Sequence, residues 1–115
     1  MLPAHFRMSS AADFQSVMRQ GTRSGRPTLI VYLKQTGNAQ SMAGFAVSRA
    51  VGGAVIRNRV KRRLRAIMAD LLPTLPDGTA VVIRALPKSA SSDYQALCRD
   101  VKDAVAAAQR KAVLA

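Results

Sequence analysis

A small α/β sandwich built around one mixed sheet is the fold this sequence predicts. Three observations carry the prediction. Apolar residues recur with helical spacing around 14–18, 56–71 and 97–108. Runs rich in β-branched and other apolar residues at 28–34, 42–48 and 79–85 lie between them and read as strands. A chain of 115 residues can bury roughly 60–70% of its unfolded surface, enough for one core. No repeat, low-complexity tract or linker interrupts it, so residues 1–115 are expected to form a single domain.

The elements follow in order. Ser10-Ala-Ala-Asp13 has the layout of a helix start, Gly21 closes that helix, and Phe14, Val17 and Met18 share one of its faces. Arg23 to Pro27 reads as a loop. Thr28 to Lys34 is a strand, Gly37-Asn38 marks a turn, and Met42 to Ser48 is expected to return as an antiparallel partner. Gly52-Gly53 breaks the chain before a long helix that runs to about Leu72 and stops at Pro73. Thr79 to Ala85 is almost continuously apolar, as in a strand buried on both faces. Ser92-x-x-Gln95 resembles a capping box opening a last helix, with Leu97, Val101, Val105 and Ala108 on one side.

The long helix carries the functional signal. Arg57, Arg59, Lys61, Arg62, Arg63 and Arg65 crowd a nine-residue stretch, yet Ile56, Val60, Leu64, Ile67 and Leu71 keep the period of an amphipathic helix. Turning 100° per residue gathers those five on one arc and sends Asn58, Arg62 and Arg65 the opposite way. An ordinary exposed helix mixes signs and forms i,i+4 ion pairs, whereas this one has no acid to pair with. Guanidinium forks match phosphate oxygens, so the segment reads as a nucleic-acid surface. Composition agrees: 18 basic against 6 acidic residues give +12 at pH 7, and no acid falls between 14 and 69. Such a field attracts polyanions.

Other function classes find little support. His5 is the only histidine and Cys98 the only cysteine, so neither a His-based catalytic group nor a zinc site is expected. All six acids are Asp and they are scattered, which argues against a carboxylate pair for two-metal chemistry. The glycines lack phosphate-loop spacing. No apolar run approaches the roughly 20 residues of a membrane span, and no signal-peptide layout opens the chain. With one cysteine, the expectation is a cytoplasmic protein. Strand parity adds a candidate. Leu29, Val31 and Leu33 form a uniform core face, while Ile30, Tyr32 and Lys34 form a mixed face expected to be partly wet, where Tyr32 could stack on an unpaired base. A ribosomal or other structural RNA-binding protein would share this size and charge, and stands as the alternative.

The segment SRAVGGAVIRNRVKRRLR, residues 48–65, closely resembles the RNR signature of the protein subunit of bacterial ribonuclease P. Phe6-Arg-Met, Asp13-Phe14-x-x-Val17, the Gly21-Thr22 turn, the Tyr32 strand and the strand at 79–85 extend the likeness over roughly residues 5–110. Ala50, Gly53 and Met18 depart from the usual pattern, which has a second basic residue, Asn and often Phe at those places. The resemblance implies a basic protein that assists a catalytic RNA in magnesium-dependent removal of the 5′ leader from precursor tRNA, the Mg2+ being held mainly by the RNA. It implies no catalytic or metal-binding residue on the protein. It also implies a left-handed crossover through the signature helix, against the usual preference. RNA-subunit binding falls by resemblance on Arg49, Arg57, Asn58, Arg59, Lys61, Arg62 and Arg65, and leader binding on Phe14, Met18 and Tyr32.

Overall fold

The computed structural model describes residues 2–37 and 40–114. Ser10 opens α1 (Ala11–Gln20), its hydroxyl accepting the Asp13 amide at 3.4 Å, and the Gly21 amide returns to the Val17 carbonyl at the far end. Four strands make one sheet: β1 (Thr22–Gly25), β2 (Leu29–Gln35), β3 (Met42–Ala46) and β4 (Thr79–Ala85), in spatial order β1-β2-β4-β3. α2 (Ala54–Leu71) joins β3 to β4, and α3 (Tyr94–Leu114) completes the order. The sheet is mixed, as expected, because β1, β2 and β4 pair antiparallel while β3 runs parallel to β4.

Three local expectations are corrected. Residues 22–25 were expected to lie in a turn and loop but form β1. The sequence Thr-Arg-Ser-Gly has no apolar alternation, and the strand is imposed from outside. Thr22 pairs opposite Leu33, and its hydroxyl donates to the Ala108 carbonyl on α3 at 2.8 Å. The second correction concerns β3, which ends at Ala46 and does not pair with β2. The apolar β4 takes the central place between them, because that place covers both of its faces. Accordingly the chain after β2 makes no tight hairpin: the Thr36 amide donates to the Gly78 carbonyl at 2.9 Å, at the start of β4. Of the Gly37-Asn38 pair, Gly37 has φ 80°, and Asn38 lies outside the described residues. Third, α3 is capped by Asp93, whose carboxylate accepts the Ala96 amide at 2.7 Å, while the Ser92 hydroxyl donates backwards to the Lys88 carbonyl. A one-residue shift of the helix start makes Asp93 the better-placed acceptor.

Helices cover both faces of the sheet. Leu29, Val31, Leu33, Val81 and Ile83 meet Val60, Leu64, Ile67 and Met68 of α2 and Leu97, Val101, Ala104, Val105 and Ala108 of α3 in the larger core. Each large side chain buried there contributes about 1.5–3 kcal/mol. α1 lies on the other face, where Val17 packs with Ile30, Tyr32, Ala80 and Val82. The expectation that this second face would be wet is therefore corrected: Ile30 and Tyr32 are each only 8% exposed. Alternation along β2 correctly separates the two faces, but α1 is supplied by a distant stretch of chain and closes the second one.

The amino-terminal segment is strapped to the sheet edge beyond β3. Leu2 is fully buried in the larger core, Arg7 bridges to Ala43, and the Met8 amide donates to the Ala43 carbonyl at 2.8 Å. Before α2, Gly52 holds φ 157°, a backbone state that side-chain-bearing residues rarely adopt, and so turns the chain into the helix.

Candidate nucleic-acid interface

α2 is held down along the predicted stripe. Val60, Leu64 and Ile67 are buried, Met68 joins them, and Ile56 and Leu71 are half-buried at the two ends. With that side fixed, the helical turn sorts the basic residues onto two flanks.

One flank is open. Asn58 and Arg62 are exposed, Lys61 and Arg65 are half-buried, and together with Arg7 and Ala66 they line a cleft of about 400 Å³. Among the described residues, no acid lines this cleft. The other flank turns into the fold. Arg59 donates through Nη2 to the Ala90 carbonyl and Arg63 through Nη1 to the Ser92 carbonyl, both at 3.1 Å. These bonds tie α2 to the segment ahead of α3. The Nε atoms of Arg57 and Arg59 are buried and make no hydrogen bond among the described residues. Arg49 is exposed in the turn that leads to the helix. The predicted fan of cations is thus divided, with Lys61, Arg62 and Arg65 facing outward and Arg59 and Arg63 shared with the scaffold.

A second groove, of about 300 Å³, runs beside the first. Phe14 from α1, Ala43, Gly44 and Phe45 from β3, Met8 and Ser9 make its walls, and Arg7, Lys61 and Arg65 close one side. Phe14 reaches this place because Gly44 has no side chain: a Cβ there would stand 2.6 Å from the ring. The ring lies over bare backbone, half-buried, and Met18 is half-buried against the same cluster. Among the leader candidates, only Phe14 lines the groove. Tyr32 lies on the same sheet face, two strands away through Val82, which pairs with both Tyr32 and Gly44. Lys34, expected beside it on a wet face, donates to Ser16 and Gln20 of α1 at 2.8 and 2.6 Å. Sequence reasoning assigned no site role to Arg7 or Phe45, although Phe6-Arg-Met carries part of the resemblance. Arg7 lies in a segment without periodicity, and nothing local shows that the strap brings it beside α2.

The surface has the chemistry of a polyanion receptor, with donors and positive charge beside an aromatic ring. His5 packs on Phe6, ring centroids 4.2 Å apart. Among the described residues, no three His, Cys, Asp or Glu side chains come together as a metal site would require, and no helix is long and apolar enough to cross a membrane.

A family model described as Ribonuclease P matches residues 2–109, a span that includes the strap, α1, the sheet and the basic helix. The chain belongs to the ribonuclease P protein family. It is 44% identical over 111 residues to the ribonuclease P protein component of Kocuria rhizophila, covering 96% of this chain and 98% of that one. The ribonuclease P protein component of Streptomyces bikiniensis is likewise 44% identical over 114 residues, covering 91% and 93%. The fold is that of the solved RNase P protein of Staphylococcus aureus, with a TM-score of 0.80 at 20% identity over 90% of this chain and 94% of that one. The RNase P protein from Thermotoga maritima gives 0.74 at 23% identity, covering 84% and 92%. The chain is therefore the protein component of a ribonuclease P, a subunit of the tRNA-processing endoribonuclease, and its partner is that enzyme's RNA subunit. The ribosomal alternative is set aside by the family match.

Proposed function

We propose that the open flank of α2 docks on the RNA subunit and that the groove beside Phe14 receives the single-stranded 5′ leader of precursor tRNA. In this reading Arg49, Arg57, Asn58, Lys61, Arg62 and Arg65 contact RNA phosphates, and Arg59 does so with the guanidinium nitrogen its bond to Ala90 leaves over. Phe14 stacks on a leader base, with Met18 and Tyr32 supporting α1 beneath it. The 115 residues act as one RNA-binding domain in the cytoplasm. The observation that carries the reading is the contact between two unlike surfaces, an acid-free cationic cleft and an aromatic groove over the bare backbone of Gly44. Phosphates suit the first, and unstacked bases suit the second.

Mg2+ belongs to the RNA in this proposal. The charged side chains along the interface are all guanidinium and ammonium groups, which repel a divalent cation, so this face does not fit as a magnesium site. The chain's part is to place positive charge among closely spaced phosphates and to hold the strand that distinguishes precursor from product.

Reconstitution with the partner RNA tests the assignment. The holoenzyme should bind precursor tRNA more tightly than mature tRNA, and Phe14→Ala should narrow that gap. Equal affinity of the wild-type holoenzyme for both RNAs would refute the leader role.

A further inference from the structure

We propose that Arg7, Lys61 and Arg65 form a seat for one phosphate of the bound leader strand, with Arg7 as a specificity-determining residue. The inference rests on the leader reading above and adds a particular anion site to it. These three side chains line both clefts, whereas Asn58 and Arg62 line only the first and Phe14 and Gly44 only the second. A strand stacked on Phe14 and continuing toward α2 must cross them.

Charge and pre-organisation support the same place. Lys61 and Arg65 stand four residues apart on one helix, an arrangement in which like charges repel. Arg7 adds a third cation from the strap, and no acid among the described residues lines either cleft. An anion placed among them relieves that repulsion. Arg7 is also held in advance. Its Nε donates to the Leu2 carbonyl at 3.0 Å, and Leu2 is itself fully buried in the core. That bond leaves both terminal nitrogens of the guanidinium to fork onto phosphate oxygens. Part of the ordering cost is thereby removed before the strand arrives. Because Arg7 belongs to the strap rather than to α2, its loss should burden the substrate more than the RNA subunit, whose docking rests mainly on α2.

The experiment uses reconstituted holoenzyme, wild type and Arg7→Ala, with precursor tRNAs carrying one neutral methylphosphonate at successive leader positions. Arg7→Ala should weaken precursor binding about tenfold, as loss of one charge-assisted hydrogen bond implies. It should reduce the magnitude of the log–log salt slope by about one. Mature tRNA binding should stay unchanged, and RNA-subunit binding, carried mainly by the cations of α2, should fall far less than precursor binding. One methylphosphonate position should weaken wild-type binding at least as much, and should weaken Arg7→Ala binding by clearly less, because only Lys61 and Arg65 then remain to lose that phosphate. Arg7→Lys keeps the charge but loses the fork, and should fall between them; it decides the matter if the alanine variant unfolds. Independent, additive losses at every position, or an equal loss of RNA-subunit affinity, would overturn the phosphate seat while leaving the leader reading intact. Failure of the wild-type holoenzyme to prefer precursor over mature tRNA would instead remove the reading beneath it.

Discussion

Arg62 and Arg63 are adjacent in the sequence and have opposite duties. Arg62 is exposed in the open cleft, whereas Arg63 donates to the Ser92 carbonyl and anchors α2 to the chain ahead of α3. Arg63→Ala should lower stability in urea unfolding by about 1.5–3 kcal/mol, the range for a hydrogen bond to a charged group. Arg62→Ala should leave the unfolding midpoint within error and weaken RNA-subunit binding. Equal unfolding midpoints for the two variants would contradict this division. The same distinction corrects the expectation for Tyr32. At 8% exposure it is a packed residue, so Tyr32→Ala should cost on the order of 3 kcal/mol of stability through the cavity it leaves. Tyr32→Phe should cost much less, and thermal melts of the two variants check the order. Helical angles and strand parity were enough to place Phe14, Val60, Leu64 and Tyr32 on their faces. They could not show which distant segment covers a face, and for that reason the bonds of Arg59 and Arg63 and the burial of Tyr32 were not legible.

At the scale of elements, α2 was read almost to the residue because its signal is local: a periodic apolar stripe, a glycine pair before it and a proline after it. The register of β3 was not local. Nothing within Met42–Ala46 specifies a parallel partner, and the pairing follows from the competition for the centre of the sheet that β4 wins. β1 was hidden for a similar reason, its strand state being set by β2 and α3. The open flank of α2 makes a quantitative prediction. If it neutralises about six phosphates, a fourfold rise in salt should lower RNA-subunit affinity on the order of 10³-fold, taking a slope of about −0.9 per contact from duplex DNA. Titrations at a series of salt concentrations measure it. A flat profile would mean that this flank does not carry the docking.

For the whole molecule, a net charge of +12 is carried on a scaffold whose two apolar cores fix the basic helix in place. The free protein should not cleave precursor tRNA, and its addition should lower the magnesium needed by the RNA subunit, since protein cations replace counterions around crowded phosphates. Specific cleavage by RNA-free protein would overturn that account. The order of six of the seven main helices and strands, the mixed sheet and the basic face were legible in the sequence. The junction of the two clefts was not, because it is assembled from the strap, α1, β3 and α2, four elements that meet only in the folded chain. Under the proposed function substrate choice resides at that junction, and one comparison tests it most directly. Precursor and mature tRNA are titrated at equilibrium against holoenzyme containing wild-type or Phe14→Ala protein. Loss of one base stack, worth roughly 1–3 kcal/mol, should weaken precursor binding about tenfold and leave mature tRNA binding unchanged. Equal losses for both RNAs, or no loss for either, would contradict the assignment of the groove to the leader.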